Sequence, residues 1–328
     1  MASVPPRSGS DPAPPYRIVF MGTPALAAHI LERLATAPAG LCRVAAVVTR
    51  PDERRGRGLK LEPSEVAAVA ARRGIAALKP VKIRTPEFRA ELRSFDPDLL
   101  VVAAYGRILP NSLLDAARIM PINVHASLLP RHRGASPVEA AILAGDAETG
   151  VTIMRVTEAM DAGPMLVKRA IRIAPDDTQG TLKQKLARLG ADALIESLEG
   201  LARGELREQL QDESLATYCA PVKKTDSAID WTSGAAHIER MTRAYDPWPV
   251  ARTTLGGVEL LIWRAAVEDA RATGAPPGTV VALKPVPIIQ CAKGALRLLE
   301  VQGAGRKRMA AADFFRGRRI GDGARLGA

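Results

Sequence analysis

Leu99-Leu100-Val101-Val102-Ala103-Ala104 is an unbroken apolar run without alternation. A strand covered on both faces reads this way, because either face meets apolar neighbours. Short runs of similar character stand upstream at Arg17–Met21 and Val44–Thr49, and downstream at Ile122–Val124 and Val151–Val156. Helical spacing lies between them. Leu26, Ile30, Leu31 and Leu34 follow Thr23-Pro24, a second segment spans Pro63 to Arg73 and closes at Gly74, a third opens at Thr85-Pro86, and a long one spans Thr178 to Arg203. Thr23 and Thr85 suit N-caps, with a proline at the first helical position where its missing N–H costs nothing. Alternating strands and helices predict βαβ units, hence a Rossmann-like α/β domain with an open parallel sheet and right-handed crossovers.

The pattern changes after Gly204. Residues 205–221 read as a polar linker, and a helix follows over Ala235–Ala244. Five short strands are then predicted at Arg252–Leu255, Val258–Trp263, Thr279–Leu283, Ile288–Cys291 and Leu296–Val301, with Gly256-Gly257 as a hairpin turn. Such spacing suits a small OB-like β-barrel. The expected division is a tail over 1–16, a catalytic domain over 17–204, the linker over 205–221 and the barrel domain over 222–328. The tail is rich in Pro, Ser and Gly without an apolar signal core, and reads as disordered.

Composition limits the function classes. With 328 residues, 47% hydrophobic and 25% charged, the chain can bury a core, which excludes global disorder. Its apolar runs fall short of the ~20 residues needed to span a bilayer, so no membrane role is expected. The net charge of +11 favours anionic partners. Residues 301–328 carry 7 basic and 2 acidic groups, including Arg306, Lys307, Arg308, Arg316, Arg318 and Arg319. They suit either a solvated face or a surface for a phosphate backbone. Cys42, Cys219 and Cys291 are odd in number, far apart and form no Cys-x-x-Cys. That fits a reducing compartment and argues against a disulfide framework or a structural zinc. No His-Glu-x-x-His occurs, so no metal is expected.

The densest polar cluster is Asn123-Val124-His125-Ala126-Ser127-Leu128-Leu129-Pro130, directly after an apolar run. At the end of a strand, Asn123 and His125 would face the same way. Open α/β sheets bind ligands beyond the carboxyl ends of their strands. An amide N–H that stabilises an oxyanion and an imidazole that moves protons are the groups acyl transfer needs. Asp161, in a turn after Val151–Val156, could return to the same edge and orient the imidazole. No Ser, Cys or Lys is evidently activated, so direct transfer without a covalent enzyme intermediate is expected. Spacing alone leaves a plainer reading open, with His125 a satisfied core histidine and Asn123 a turn former.

Asn123-x-His125-x-Ser127-Leu128-Leu129-Pro130, followed by Arg133-Gly134 and Asp161-x-Gly163, resembles the signature of the formyltetrahydrofolate-dependent formyltransferases. The resemblance implies that Asn123, His125 and Asp161 carry the transfer. It implies that Ser127, Leu128, Leu129 and Pro130 border the folate, and that Ala104-Tyr105-Gly106-Arg107-Ile108-Leu109 lines the pterin pocket, with Arg107, Ile108 and Leu109 as contacts. Further stretches narrow the resemblance to the members that act on methionyl initiator tRNA. They are Met21-Gly22-Thr23-Pro24, the basic loop from Arg50-Pro51-Asp52 to Lys60-Leu61, Gly145 to Thr152, Ile229-Asp230-Trp231 and Ala244 to Pro249.

What this implies is formyl transfer from 10-formyltetrahydrofolate, a co-substrate, to the α-amine of methionyl initiator tRNA for translation initiation. The implied setting is the bacterial cytosol and the implied state a monomer. Arg54, Arg55, Arg57 and Lys60 in the loop, with Arg306, Lys307 and Arg308 near the end, would contact tRNA. An aminosugar or ribonucleotide amine stays open as the alternative acceptor. Ala126 stands where glycine is usual in the family, and His132 where an aromatic Tyr or Trp is common.

Overall fold

A computed structural model describes residues 13–55, 60–268 and 274–327. Their contacts form two units that cut across a simple division at residue 204. One holds the described residues up to Pro137 with Glu148–Arg172 and Lys183–Ala220. The other holds Val138–Ala147, Ile173–Leu182 and the chain from Pro221 onward. Of the expected tail, residues 1–12 lie outside the described residues, and Tyr16 already opens the first strand.

The first unit is built on a seven-stranded sheet. Leu99–Ala103 lies inside it, parallel to Tyr16–Gly22 on one side and Met120–His125 on the other. Cys42–Val48 and Ala76–Leu78 extend the parallel part. Leu99, Leu100 and Val101 are fully buried, as an apolar run without alternation requires. Each such side chain contributes about 1.5–3 kcal/mol relative to exposure. The expected parallel sheet is extended by two antiparallel strands on one side. Glu148–Arg155 pairs antiparallel to Met120–His125, and Met165–Arg172 pairs antiparallel to Glu148–Arg155 at the edge. The edge strand escaped the sequence reading because Lys168, Arg169 and Arg172 give it the polarity of a loop.

Helix starts follow local chemistry, with one correction. Thr85 caps its helix by accepting from Phe88 N at 3.2 Å, with Pro86 in the first turn. The helix Ala25–Ala35 instead has Pro24 at the N-cap and no side-chain cap. Gly74 closes Glu65–Arg73 in the left-handed conformation, as expected. The long helix Gln179–Ala202 lies close to the sheet at Gly190. A Cβ there would stand 2.9 Å from Val124 Cγ1, so only glycine lets this helix approach the strand that carries Asn123 and His125.

In the second unit five antiparallel strands run in spatial order Ala251–Leu255, Val258–Glu268, Ala295–Gly303, Ile288–Gln290, Val280–Ala282. The turn at Gly256-Gly257 is where the hairpin signal put it. Residues 324–327 close the sheet. Leu326 bridges Leu255, Arg325 bridges Thr279, and both flanking strands thereby gain a neighbour. The result is a small barrel around Leu260, Ile262, Leu296, Leu298 and Val301, with Phe314 and Phe315 packed against it. Cys42 and Cys291 are packing residues, and burial pushes their thiols up to about 11 and about 12. Among the described residues no helix is long and apolar enough to cross a membrane.

Candidate active site

Three polar side chains meet at the carboxyl end of Met120–His125. Asn123 and His125 alternate onto one face of the strand. Asp161 comes from the turn between Glu148–Arg155 and Met165–Arg172. Glu148–Arg155 pairs directly with Met120–His125, and the turn that follows it brings Asp161 to Asn123 and His125.

Asn123 Nδ2 donates to Asp161 Oδ1 at 3.3 Å. Asp161 Oδ2 stands 3.5 Å from His125 Nδ1 and accepts from Gly134 N at 2.9 Å. His125 is 5% exposed, and its Nε2 lies 3.0 Å from the carbonyl of His132. A carbonyl only accepts, so Nε2 carries a hydrogen. The other ring nitrogen, Nδ1, is the one that faces Asp161. Spacing alone left His125 open as a core histidine. It is buried, but its ring sits between two acceptors at a strand end, which gives it a defined tautomer and a carboxylate partner.

Two backbone features hold this arrangement. Asp161 has φ +50°, a region that costs a non-glycine residue about 1–3 kcal/mol and that aspartate tolerates better than most. Gly134 has φ +115°, and a Cβ there would stand 2.3 Å from Cys219 O. Glycine is thus required where the backbone N–H must reach the Asp161 carboxylate.

Residues 16–198 match the family model of the formyl transferases, and residues 221–319 match the formyl transferase C-terminal domain. The chain belongs to the formyl transferase family. Similar formyl transferases include the methionyl-tRNA formyltransferase of Methylococcus capsulatus, 47% identical over 95% of this chain and 99% of that one. That of Pseudomonas paraeruginosa is 44% identical over 92% and 96%. Among solved structures, an N-formyltransferase from Helicobacter canadensis in complex with folinic acid and dTDP-3-aminofucose shares the fold. Its TM-score is 0.63 at 15% identity, covering 87% of this chain and 98% of that one.

The residues expected beside the folate of this formyl transferase divide by environment. Ile108 is exposed, whereas Leu109 and Leu129 give their side chains to the core. Ser127 is buried and spends its hydroxyl on Arg131 O at 2.7 Å, shaping the loop that Leu128 and Pro130 share. Arg107 Nη1 donates to Pro80 O and Val81 O at 3.1 and 3.0 Å, bracing a neighbouring loop. The Tyr105 hydroxyl is buried without a partner among the described residues.

The described ends of the basic loop form a short ribbon. Glu53–Arg55 pairs antiparallel with Lys60–Glu62, and Asp52 at its base holds Lys79 at 2.6 Å. Arg54 and Lys60 are exposed, while Arg57 lies outside the described residues. In the barrel unit, Arg306 and Lys307 are exposed, whereas Arg308 stacks on the Trp263 ring at 4.9 Å and pairs with Glu300.

Sequence reasoning missed several groups around the site. Thr152 bonds both Ser127 O and Leu129 N, at 2.8 and 3.1 Å. Lys168 donates to Leu129 O at 2.6 Å, and burial pulls its ammonium below the ordinary lysine range. Thr217 accepts from His132 N at 2.8 Å, and Gln211 reaches the Asp161 turn. The last two sit in the stretch read as a linker. A polar run shows no period that separates a solvated linker from a strap laid across a site.

Proposed function

We propose that the protein transfers the formyl group of 10-formyltetrahydrofolate to the α-amine of methionyl initiator tRNA. The convergence of Asn123, His125 and Asp161 on one strand end carries this reading. As the amine adds to the formyl carbon, charge develops on the formyl oxygen. A second N–H of the Asn123 amide and a proton on His125 Nδ1 are the donors that would stabilise it. His125 then moves a proton toward the departing nitrogen at N10, while Asp161 keeps the ring in place. No nucleophilic side chain enters the scheme.

Arg54, Arg55, Arg57 and Lys60 in the basic loop are proposed to engage the acceptor end of the tRNA. Arg306, Lys307 and Arg308 are proposed to contact its backbone elsewhere, a type of contact that positions without reading sequence. The reaction belongs in the bacterial cytosol, where charged initiator tRNA is found. All three catalytic groups come from one chain, so a monomer suffices.

An assay with charged initiator tRNA, free methionine and an aminosugar as competing acceptors tests the proposal. Formyl-methionyl-tRNA should be the dominant product. Preferential formylation of the sugar amine would replace this reading with its alternative.

A further inference from the structure

Arg133 is the largest of the fully buried side chains, 1% exposed, beside the catalytic loop. A guanidinium so buried needs an acceptor for each of its N–H groups. It finds all of them in one segment. Nε and Nη2 donate to Gln211 Oε1 at 3.0 and 2.9 Å. Nη1 and Nη2 donate to the two carboxylate oxygens of Glu213 at 2.8 and 2.7 Å, and Nη1 also donates to Tyr218 OH at 3.0 Å. The hydrogen bond to Glu213 raises the Arg133 pKa further, and Arg133 holds the Glu213 carboxyl below its usual range.

This network fixes the Gln211 amide. Arginine has only donors, so the amide oxygen must face Arg133 and Nε2 must face away. Nε2 then donates both hydrogens to the Asp161 turn, to Asp161 O at 2.7 Å and Gly163 O at 2.8 Å. Every polar valence of Gln211 is used. Asp161 is gripped at both ends from the same short loop. Its carboxylate is held by Gly134 N, and its carbonyl is held by Arg133 through Gln211. Around this point the strap is pinned at Gln209, which exchanges two backbone hydrogen bonds with Met165, and at Thr217.

We infer that Gln211, oriented by Arg133, is a positioning residue for formyl transfer, setting the strained Asp161 turn so that its carboxylate faces His125 Nδ1. The inference rests on the catalytic reading of Asp161. Among the described residues of the strap no other side chain donates to the carbonyls at positions 161 and 163, so losing the two amide donors should let the φ of +50° at Asp161 relax. A misplacement of about 1 Å at a reacting group can cost 10²-fold in rate.

Gln211→Glu and Gln211→Met test this in the full chain. Both keep the shape of the side chain. Glu keeps acceptors for Arg133 but turns lone pairs toward the two carbonyls, and Met makes no hydrogen bonds. Both should lose about 10–100-fold in kcat. KM for folate and for tRNA should stay within a factor of about two, and the pH profile of kcat should shift, because the proton at His125 Nδ1 meets a displaced carboxylate. Glu205→Gln, which breaks the exposed ion pair between Glu205 and Arg203 at 2.6 Å, serves as control and should leave kcat unchanged. In an Asp161→Asn background, Gln211→Glu should cost nothing further. If folded Gln211 variants keep wild-type kcat and pH profile while Asp161→Asn is inactive, the inference falls and the catalytic reading stands. If Asp161→Asn is itself fully active, the catalytic reading falls first. A kcat loss that adds in full to that of Asp161→Asn also overturns the inference.

Discussion

Asn123 and Asp161 lie 38 residues apart and share a hydrogen bond of 3.3 Å. The carboxylate accepts from Asn123 Nδ2 on one oxygen and from Gly134 N on the other. Asp161→Asn therefore forces an amide donor against one of two existing donors. His125→Ala removes the group proposed to move the proton. Each should lower single-turnover formylation by roughly 10²–10⁴-fold. Thermal stability and folate binding should be retained, because both residues sit at strand or loop ends. A His125→Ala protein that keeps most of its turnover would show that the imidazole has another role.

The ribbon supplies a second prediction. In sequence Arg57 falls between Arg55 and Lys60, whose strands pair antiparallel, with Asp52 held to Lys79. Arg57→Ala should raise KM for tRNA and lower kcat as well, since a loosely held acceptor end reacts poorly. Folate KM should barely move. Steady-state kinetics with each substrate varied in turn decide the point, and equal effects on both would place the ribbon at the folate pocket.

The basic cluster of the barrel is uneven. Arg308 is already paired with Glu300 and stacked on Trp263, while Arg306 and Lys307 are exposed. Arg306→Ala with Lys307→Ala should weaken binding of initiator and elongator tRNAs alike. The slope of log affinity against log salt should shrink by about 2, near one unit per lost phosphate contact. Arg308→Ala alone should change the slope less. Filter binding across a salt series measures both, and an unchanged slope in the double variant would leave the cluster as solvated charge.

The Arg133–Glu213 pair makes stability depend on pH. Arg133 holds the folded Glu213 carboxyl below its usual range. A depressed carboxyl stabilises the fold above its unfolded pKa, about 4.3. That contribution is lost as pH falls through the lower folded value. Wild type should thus exceed Glu213→Gln in stability near neutrality, and the two should converge below about pH 4. Urea unfolding at a series of pH values gives the comparison, and a constant gap down to the most acid point would contradict it.

The parts of the fold that were legible from sequence are those with one dominant local cause. Leu99–Ala103 announced a doubly covered strand because nothing polar interrupts it. Asn123 and His125 announced a shared face because strand alternation is strict. Gly256 and Gly257 announced their turn through conformational freedom. The illegible parts are set by partners distant in sequence. Arg133 looks like any surface arginine until Gln211, Glu213 and Tyr218 are folded over it. Met165–Arg172 is a strand because Glu148–Arg155 offers it an open edge, not because its own residues alternate cleanly. Val138–Ala147 and Ile173–Leu182 join the second unit through contacts that no local pattern marks.

Closure of the barrel by residues 324–327 has a consequence for how the protein tolerates being shortened. Those few residues occupy the gap between Ala251–Leu255 and Val280–Ala282, with Leu326 N bonded to Gly278 O and Gly327 N to Thr254 O, both at 2.8–2.9 Å. Without them the unit has two bare sheet margins, and bare margins invite pairing with a second molecule. A deletion here would thus show itself as self-association and loss of solubility well before any loss of formyl transfer.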